Sequence, residues 1–157
     1  MINGKYPVGL VYEAAAPYDS WLKFIWFGVP AITLIIAIVL LFIDPTGTWV
    51  LLGVTVFYAL LFYLIMPRRY QIFEDRLRIV LAGPFGMNIP FRTIKEAITA
   101  SGSKTMAYSG IRFATSRQNV VEIKRKSGSG VIISPANRDI FLEQLKQAMK
   151  AYECLNR

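Results

Sequence analysis

The run FIWFGVPAITLIIAIVLLFI (Phe24–Ile43), and after Asp44 the run PTGTWVLLGVTVFYALLFYLIMP (Pro45–Pro67), decide what kind of chain this is. Neither run contains a Lys, Arg, Asp, Glu, Asn or Gln. At about 1.5 Å of rise per residue, roughly 20 apolar residues cross a hydrocarbon core about 30 Å thick. The runs are 20 and 23 residues long, so each can span once. Asp44-Pro45-Thr46-Gly47-Thr48 reads as a tight exposed turn, since Pro and Gly break a helix. The pattern predicts a transmembrane hairpin within 21–67, with spans near 22–43 and 48–66. Buried helices of a soluble all-α core rarely run this long without a polar face. The apolar region of a cleaved leader is shorter and is followed by a small-residue cleavage site.

Charge sets the expected orientation. The turn carries no Lys or Arg, whereas Lys5 and Lys23 precede the first run and Arg68 and Arg69 follow the second. The positive-inside rule then puts both termini of a twice-crossing chain in the cytoplasm. Trp21 and Trp49 lie at span ends on opposite sides and are the expected interfacial anchors. Pro30 is a candidate kink. With no charged or amide side chain in either run, the hairpin offers no ion or proton path and reads as an anchor.

Residues 1–20, with Pro7 and Pro17 and no clear periodicity, are expected to be a cytoplasmic arm leading into the membrane. Residues 68–157 are long enough for one small domain. That region holds 16 of the 18 Lys and Arg against 7 of the 10 acids, about +9, while the remainder is about −1. A basic domain tied to the cytoplasmic leaflet lies in the field of anionic headgroups. Nucleic acid is the other common partner of such a charge, and no motif for it is present. The single Cys154 excludes an internal disulfide or a multi-thiolate metal site. The chain has no His, which removes the commonest general base and metal ligand. Glu74-Asp75 fits a solvated turn rather than a catalytic dyad. Gly128-Ser129-Gly130 lacks the Lys and the spacing of a phosphate loop. The expectation is a non-enzymatic protein without cofactor or metal.

After Arg69 the periodicity becomes two. Tyr70 to Leu81 reads as two strands hinged at Glu74-Asp75, with Leu77, Ile79 and Leu81 alternating against Arg76 and Arg78. Gly83-Pro84-Phe85-Gly86 signals a turn. Further strands are expected at Met87–Phe91, Thr93–Thr99, Ile111–Thr115, Asn119–Lys124 and Gly130–Ser134, with a polar loop over Ala100–Ser109. A helix closes the chain, with Ser134 as N-cap and Pro135 at its first position. Its apolar stripe is Phe141, Leu145, Ala148 and Tyr152. The predicted class is α+β: a membrane hairpin, then seven short strands in a bent antiparallel sandwich closed by a C-terminal helix.

Tyr70 with Glu74-Asp75-Arg76-Leu77, Gly83, Ile89-Pro90-Phe91-x-x-Ile94, Gly110-Ile111, and Ile133-Ser134-Pro135 with Phe141-x-x-x-Leu145 resemble the bacterial pleckstrin-homology (PH)-domain membrane proteins. The resemblance covers about Trp21 to Met149. It implies a PH-like sandwich and an adaptor or assembly role at the membrane, through a protein partner or a second copy of the chain. Peptide docking is expected at exposed strand edges and beside the C-terminal helix. The alternative is an anionic-lipid-binding or surface-sensing module. The candidate lipid contacts are Arg68, Arg69, Arg76, Arg78, Lys124, Arg125 and Lys126. Phosphoinositide-binding relatives use a basic loop between their first and second strands. On the strand count above, that loop is the acidic Glu74-Asp75 here, so lipid contact is expected to be non-specific.

Overall fold

A computed structural model describes residues 9–82, 85–100 and 109–155. A strand, β1 (Leu10–Ala15), comes first, followed by two helices, α1 (Ser20–Leu40) and α2 (Pro45–Ile65). Then come β2 (Arg69–Phe73), β3 (Arg76–Val80), β4 (Gly86–Pro90), a 3-10 turn (Phe91–Thr93) and β5 (Ile94–Thr99). The chain finishes with β6 (Ile111–Phe113), β7 (Val121–Arg125), β8 (Val131–Ile133) and α3 (Arg138–Leu155). It divides into two units: Tyr18–Met66, and Met1–Pro17 together with Pro67–Arg157.

The helical unit is the predicted hairpin. Each helix has 21 residues, about 31 Å at the standard rise. Pro30 lies inside α1, which continues unbroken past it. The breaker signal at Pro45–Thr48 turns out to be the first turn of α2. Asp44 Oδ1 accepts a hydrogen bond from Gly47 N at 3.0 Å. Pro45 takes the first helical position, where its missing N–H has no partner to lose. A Cβ on residue 47 would come to 2.5 Å from Asp44 Oδ2, so any other residue there would make the Asp44 carboxylate shift. Between the helices, Thr55 Oγ1 lies 3.1 Å from Thr33 Oγ1. Each hydroxyl also has a backbone acceptor in its own helix, Pro30 O at 3.0 Å for Thr33 and Leu51 O at 2.8 Å for Thr55.

The other unit holds two sheets. The first has the order β1-β2-β3-β4, all antiparallel; the second has the order β5-β7-β8-β6, with β6 parallel to β8. All seven expected strands are present, but the expected sandwich is not wholly antiparallel: β6 joins the outer side of β8 instead of pairing with its sequence neighbour β7, and so runs parallel to β8. The arm is where sequence reading and structure part. Leu10–Ala15 is not a lead-in but an edge strand, with Glu13, Ala14 and Ala15 opposite Gln71, Tyr70 and Arg69. Ala16 N donates to Arg68 O at 3.0 Å, so the pairing continues up to the points where the helical unit begins and ends. The domain is therefore discontinuous, with the hairpin inserted between its first two strands. A register shift between Leu10 and Tyr12 disrupts the alternation that would have announced β1.

Alternation sorts the remaining side chains. Tyr70, Ile72, Leu77, Ile79 and Ile89 of the first sheet meet Ile123, Val131 and Ile133 of the second. Phe141, Leu142, Leu145 and Ala148 of α3 close the same core. The Phe141 ring stands edge-on to Tyr12 and to Tyr70, each at 6.3 Å between centroids. β1 thus contributes to the core as well as to the sheet edge.

Ser134 does not cap the helix. α3 begins at Arg138, and Ser134 is fully buried. Its Oγ accepts from Thr115 N at 2.9 Å and Ser116 N at 3.1 Å. Thr115 Oγ1 in turn donates to Pro17 O at 2.6 Å, and Ala136 N donates to Ala15 O at 3.0 Å. This buried polar knot ties the end of β1 to the lead-in of α3. The expected Gly83-Pro84 turn and most of the Ala100–Ser109 loop lie outside the described residues.

Two outcomes follow from this architecture. Residues 67–157 alone, lacking β1, should fail to unfold cooperatively. A chain with Tyr18–Met66 replaced by a short Asn-Gly linker should be water-soluble and unfold in one transition by circular dichroism. Equal stability of the two would contradict the role of β1. Ser134→Ala leaves two buried N–H groups without their acceptor and should cost about 1–3 kcal/mol, read as a lowered Tm of the full chain in detergent.

Candidate binding surfaces

The seven candidate cations do not form one patch. Arg68 and Arg69 stand where the chain leaves the hairpin, at the start of β2. Arg69 Nη1 pairs with Glu13 Oε1 at 2.9 Å, and Gln71 Nε2 donates to the other Glu13 oxygen at 2.6 Å. Arg78 projects from the outer face of β3, opposite Gln71 and Asn88. Arg76 lies at the other end of that strand, 3.5 Å from Asp75 and 5.3 Å over the Phe73 ring. These exposed pairs contribute at most about 1 kcal/mol each, but they partly neutralise Arg69 and Arg76.

The remaining three come from the β7–β8 hairpin. Lys124 pairs with Glu96 at 3.3 Å. Arg125 is half-buried, and its Nε is a buried donor without a partner. Lys126 is exposed, and its N–H donates to Thr93 O at 2.8 Å. Phe91 N donates to Asp75 O at 2.9 Å. These two backbone bonds join the β2–β3 turn, the 3-10 turn and the β7–β8 turn in one corner. They also bring in Arg92, exposed in the 3-10 turn. Sequence reading missed Arg92, because its neighbourhood depends on bonds between distant segments. The corner lies at the Phe73 and Arg76 ends of β2 and β3, about 13 Å along β2 from Arg69.

Trp21 lies in the first turn of α1, with Nε1 3.3 Å from Asp19 Oδ2. Trp49 lies near the start of α2 and is exposed. The starts of the two helices are at opposite ends of the hairpin.

Two clefts flank α3. One, of about 340 Å³, runs between β1 and the helix and is mainly apolar, lined by Val11, Ala148, Ala151, Tyr152 and Leu155. The other, of about 280 Å³, lies between β5 and the helix, with Lys95, Lys146 and Lys150 on its walls. Among the described residues no cluster of three His, Cys, Asp or Glu side chains is arranged to hold a metal ion.

The strand count also changes the loop comparison. With β1 in place, Glu74-Asp75 joins the second strand to the third. The connection from β1 to β2 is here the helical hairpin itself.

No curated protein and no solved structure matches the chain. A family model described as "Bacterial PH domain" matches residues 68–149, from the joint after the hairpin to the last turns of α3. β1 lies outside the matched range. The match covers just over half of the chain, and the folded unit has two sheets and a closing C-terminal helix. This chain belongs to the bacterial PH domain family.

Proposed function

We propose that this chain is a non-enzymatic, membrane-anchored adaptor. In this reading the hairpin crosses the cytoplasmic membrane twice, and the PH-like domain engages a protein partner or a second copy at the cytoplasmic face. A bacterial PH domain points to a protein- or lipid-binding module. The most hydrophobic windows of α1 and α2 are only 11% and 6% buried, unlike the core helices of a soluble domain. Arg68 and Arg69 on one flank, with an uncharged turn between the helices, favour a cytoplasmic location for the domain.

The observation that carries the proposal is the pairing of β1 with β2 across the hairpin. Paired strands share one compartment, so a membrane-inserted hairpin must cross an even number of times. Two chain crossings then hold the domain at the leaflet, and localisation needs no lipid affinity. The open surfaces left for function include the clefts beside α3. The lipid reading has its own support in Arg92, Arg125 and Lys126, cations of one corner with no ion pair among the described residues.

Topology can be tested with maleimide labelling. The exposed natural Cys154 should react only after permeabilisation. Thr46→Cys in a Cys154→Ser background should react with an impermeant reagent in intact cells; the reverse pattern would contradict the orientation. The adaptor reading predicts that the full chain, solubilised from its native membrane, carries a second protein or a second copy at fixed stoichiometry in native mass spectrometry. Recovery only as a monomer would count against it. Loss of co-purifying phosphatidylglycerol on Arg92→Glu/Lys126→Glu, with no protein complex in either form, would favour the lipid reading.

A further inference from the structure

We infer that the hairpin is also a contact surface: the side of α2 that carries Val54, Tyr58, Leu61 and Ile65 packs on the same side of a second copy of this chain within the membrane. This rests on the membrane-inserted reading of the hairpin and reaches beyond the adaptor reading, which assigns binding to the PH-like domain. The observation behind it is one hydroxyl. Inside the hydrocarbon region a helix has to find protein partners for its polar groups, because lipid tails neither donate nor accept hydrogen bonds. Thr33 and Thr55 do so. Their hydroxyls lie 3.1 Å apart, and each also has a carbonyl acceptor about one turn back in its own helix. Tyr58 does not: its hydroxyl has no hydrogen-bond partner among the described residues.

Depth closes the usual outlet for a membrane tyrosine. Tyr58 lies seven residues before the end of α2 at Ile65, about 10 Å at the standard rise, and thirteen after Pro45, about 20 Å. Helical side chains lean toward their own N-terminus, so the ring leans away from the nearer end and toward the middle of the span. A tyrosine of the interfacial belt reaches the headgroups; this one does not. Nor is its hydroxyl sealed inside the hairpin. Among the described residues, Arg125 Nε is the only enclosed side-chain polar atom without a partner, so the Tyr58 hydroxyl is open to a neighbour. The ring packs on Phe62 at 4.6 Å between centroids. Val54, Leu61 and Ile65, at four residues before and three and seven after Tyr58, share its side of the helix. They are 59%, 41% and 53% exposed, an apolar strip around one polar group.

A second copy is the occupant that this chemistry selects. A hydroxyl both donates and accepts, so it can pair with its own equivalent, as the Thr33 and Thr55 hydroxyls pair with each other. Copies that share one orientation in the membrane carry Tyr58 at the same depth. A two-fold axis along the membrane normal then brings the two strips face to face. A partner of different sequence would need a polar group at that one depth, which a second copy has by construction. The 4-3-4 spacing of Val54, Tyr58, Leu61 and Ile65 is also the seam spacing of helices packed side by side.

The test uses the purified full chain in liposomes of phosphatidylcholine and phosphatidylglycerol, labelled at the exposed Cys154 with donor or acceptor maleimide. Energy transfer should exceed the random-proximity level and fall to it on dilution with lipid. Tyr58→Phe should raise the protein-to-lipid ratio at half-association by roughly three- to twentyfold, with an unchanged circular dichroism spectrum as the folding control. In a Cys154→Ser background, Val54→Cys and Leu61→Cys should form disulfides between copies on mild oxidation. Val56→Cys and Leu60→Cys, on the opposite side of α2, should not. No association of the unaltered chain, unchanged association of Tyr58→Phe, or crosslinking that ignores the side of the helix would overturn the inference. Extraction with alkaline carbonate separates it from the reading beneath it. A chain stripped from the liposomes would sink the spanning hairpin and the inference together. A retained chain without energy transfer sinks the inference alone, since a different protein partner would still satisfy the adaptor reading.

Discussion

The structure depends on one pairing, that of Glu13-Ala14-Ala15 with Gln71-Tyr70-Arg69, closed by the hydrogen bond from Ala16 N to Arg68 O. A flexible loop of about fifty residues would cost this pairing roughly 3.5 kcal/mol in closure entropy. The intervening segment is not flexible. Two helices of equal length, 21 residues each, carry the chain out and back, so the hairpin brings its own ends together. Thr115 then holds Pro17 O, and Ser134 holds the backbone of Thr115 and Ser116. Residues 15–17 are thereby fixed to the second sheet and to the approach to α3.

This constraint shapes the available surfaces. The connection from β1 to β2 is occupied by the hairpin, and the charged residues fall at two ends of the strands. Arg69 stands at the joint, paired with Glu13, while Arg76, Arg92, Arg125 and Lys126 gather at the opposite corner. The helix that closes the core leaves a cleft on each flank, one apolar and one lined by lysines.

Much of the fold was legible in local pattern. The hairpin shows as two runs without a charge, and the strands from Arg69 onward show in the alternation of Leu77 and Ile79 with Arg76 and Arg78. The misreadings have specific causes. β1 carries a register shift and stands far in sequence from its partner, so Val11 to Ala15 gave no period to detect. Ser134-Pro135 has the composition of a helix start, but a buried hydroxyl can equally accept from the backbone of a neighbouring strand, and here it does. Asp44-Pro45 read as a turn because a helix breaker and a first-turn proline are the same residue in different neighbourhoods. Arg92 went unmarked because its place beside Lys126 follows from the hydrogen bond between Thr93 and Lys126.

By itself the sequence determined the elements: two apolar helices of spanning length, the strands after them, the amphipathic closing helix and the excess of positive charge. These follow from hydrophobic periodicity and composition, which act over a few neighbouring residues. Tertiary structure alone decided that β1 belongs to the domain, that the hairpin is an insertion rather than a prefix, and which cations share a corner. Those outcomes depend on hydrogen bonds and side-chain packing between segments tens of residues apart, and no local pattern encodes them.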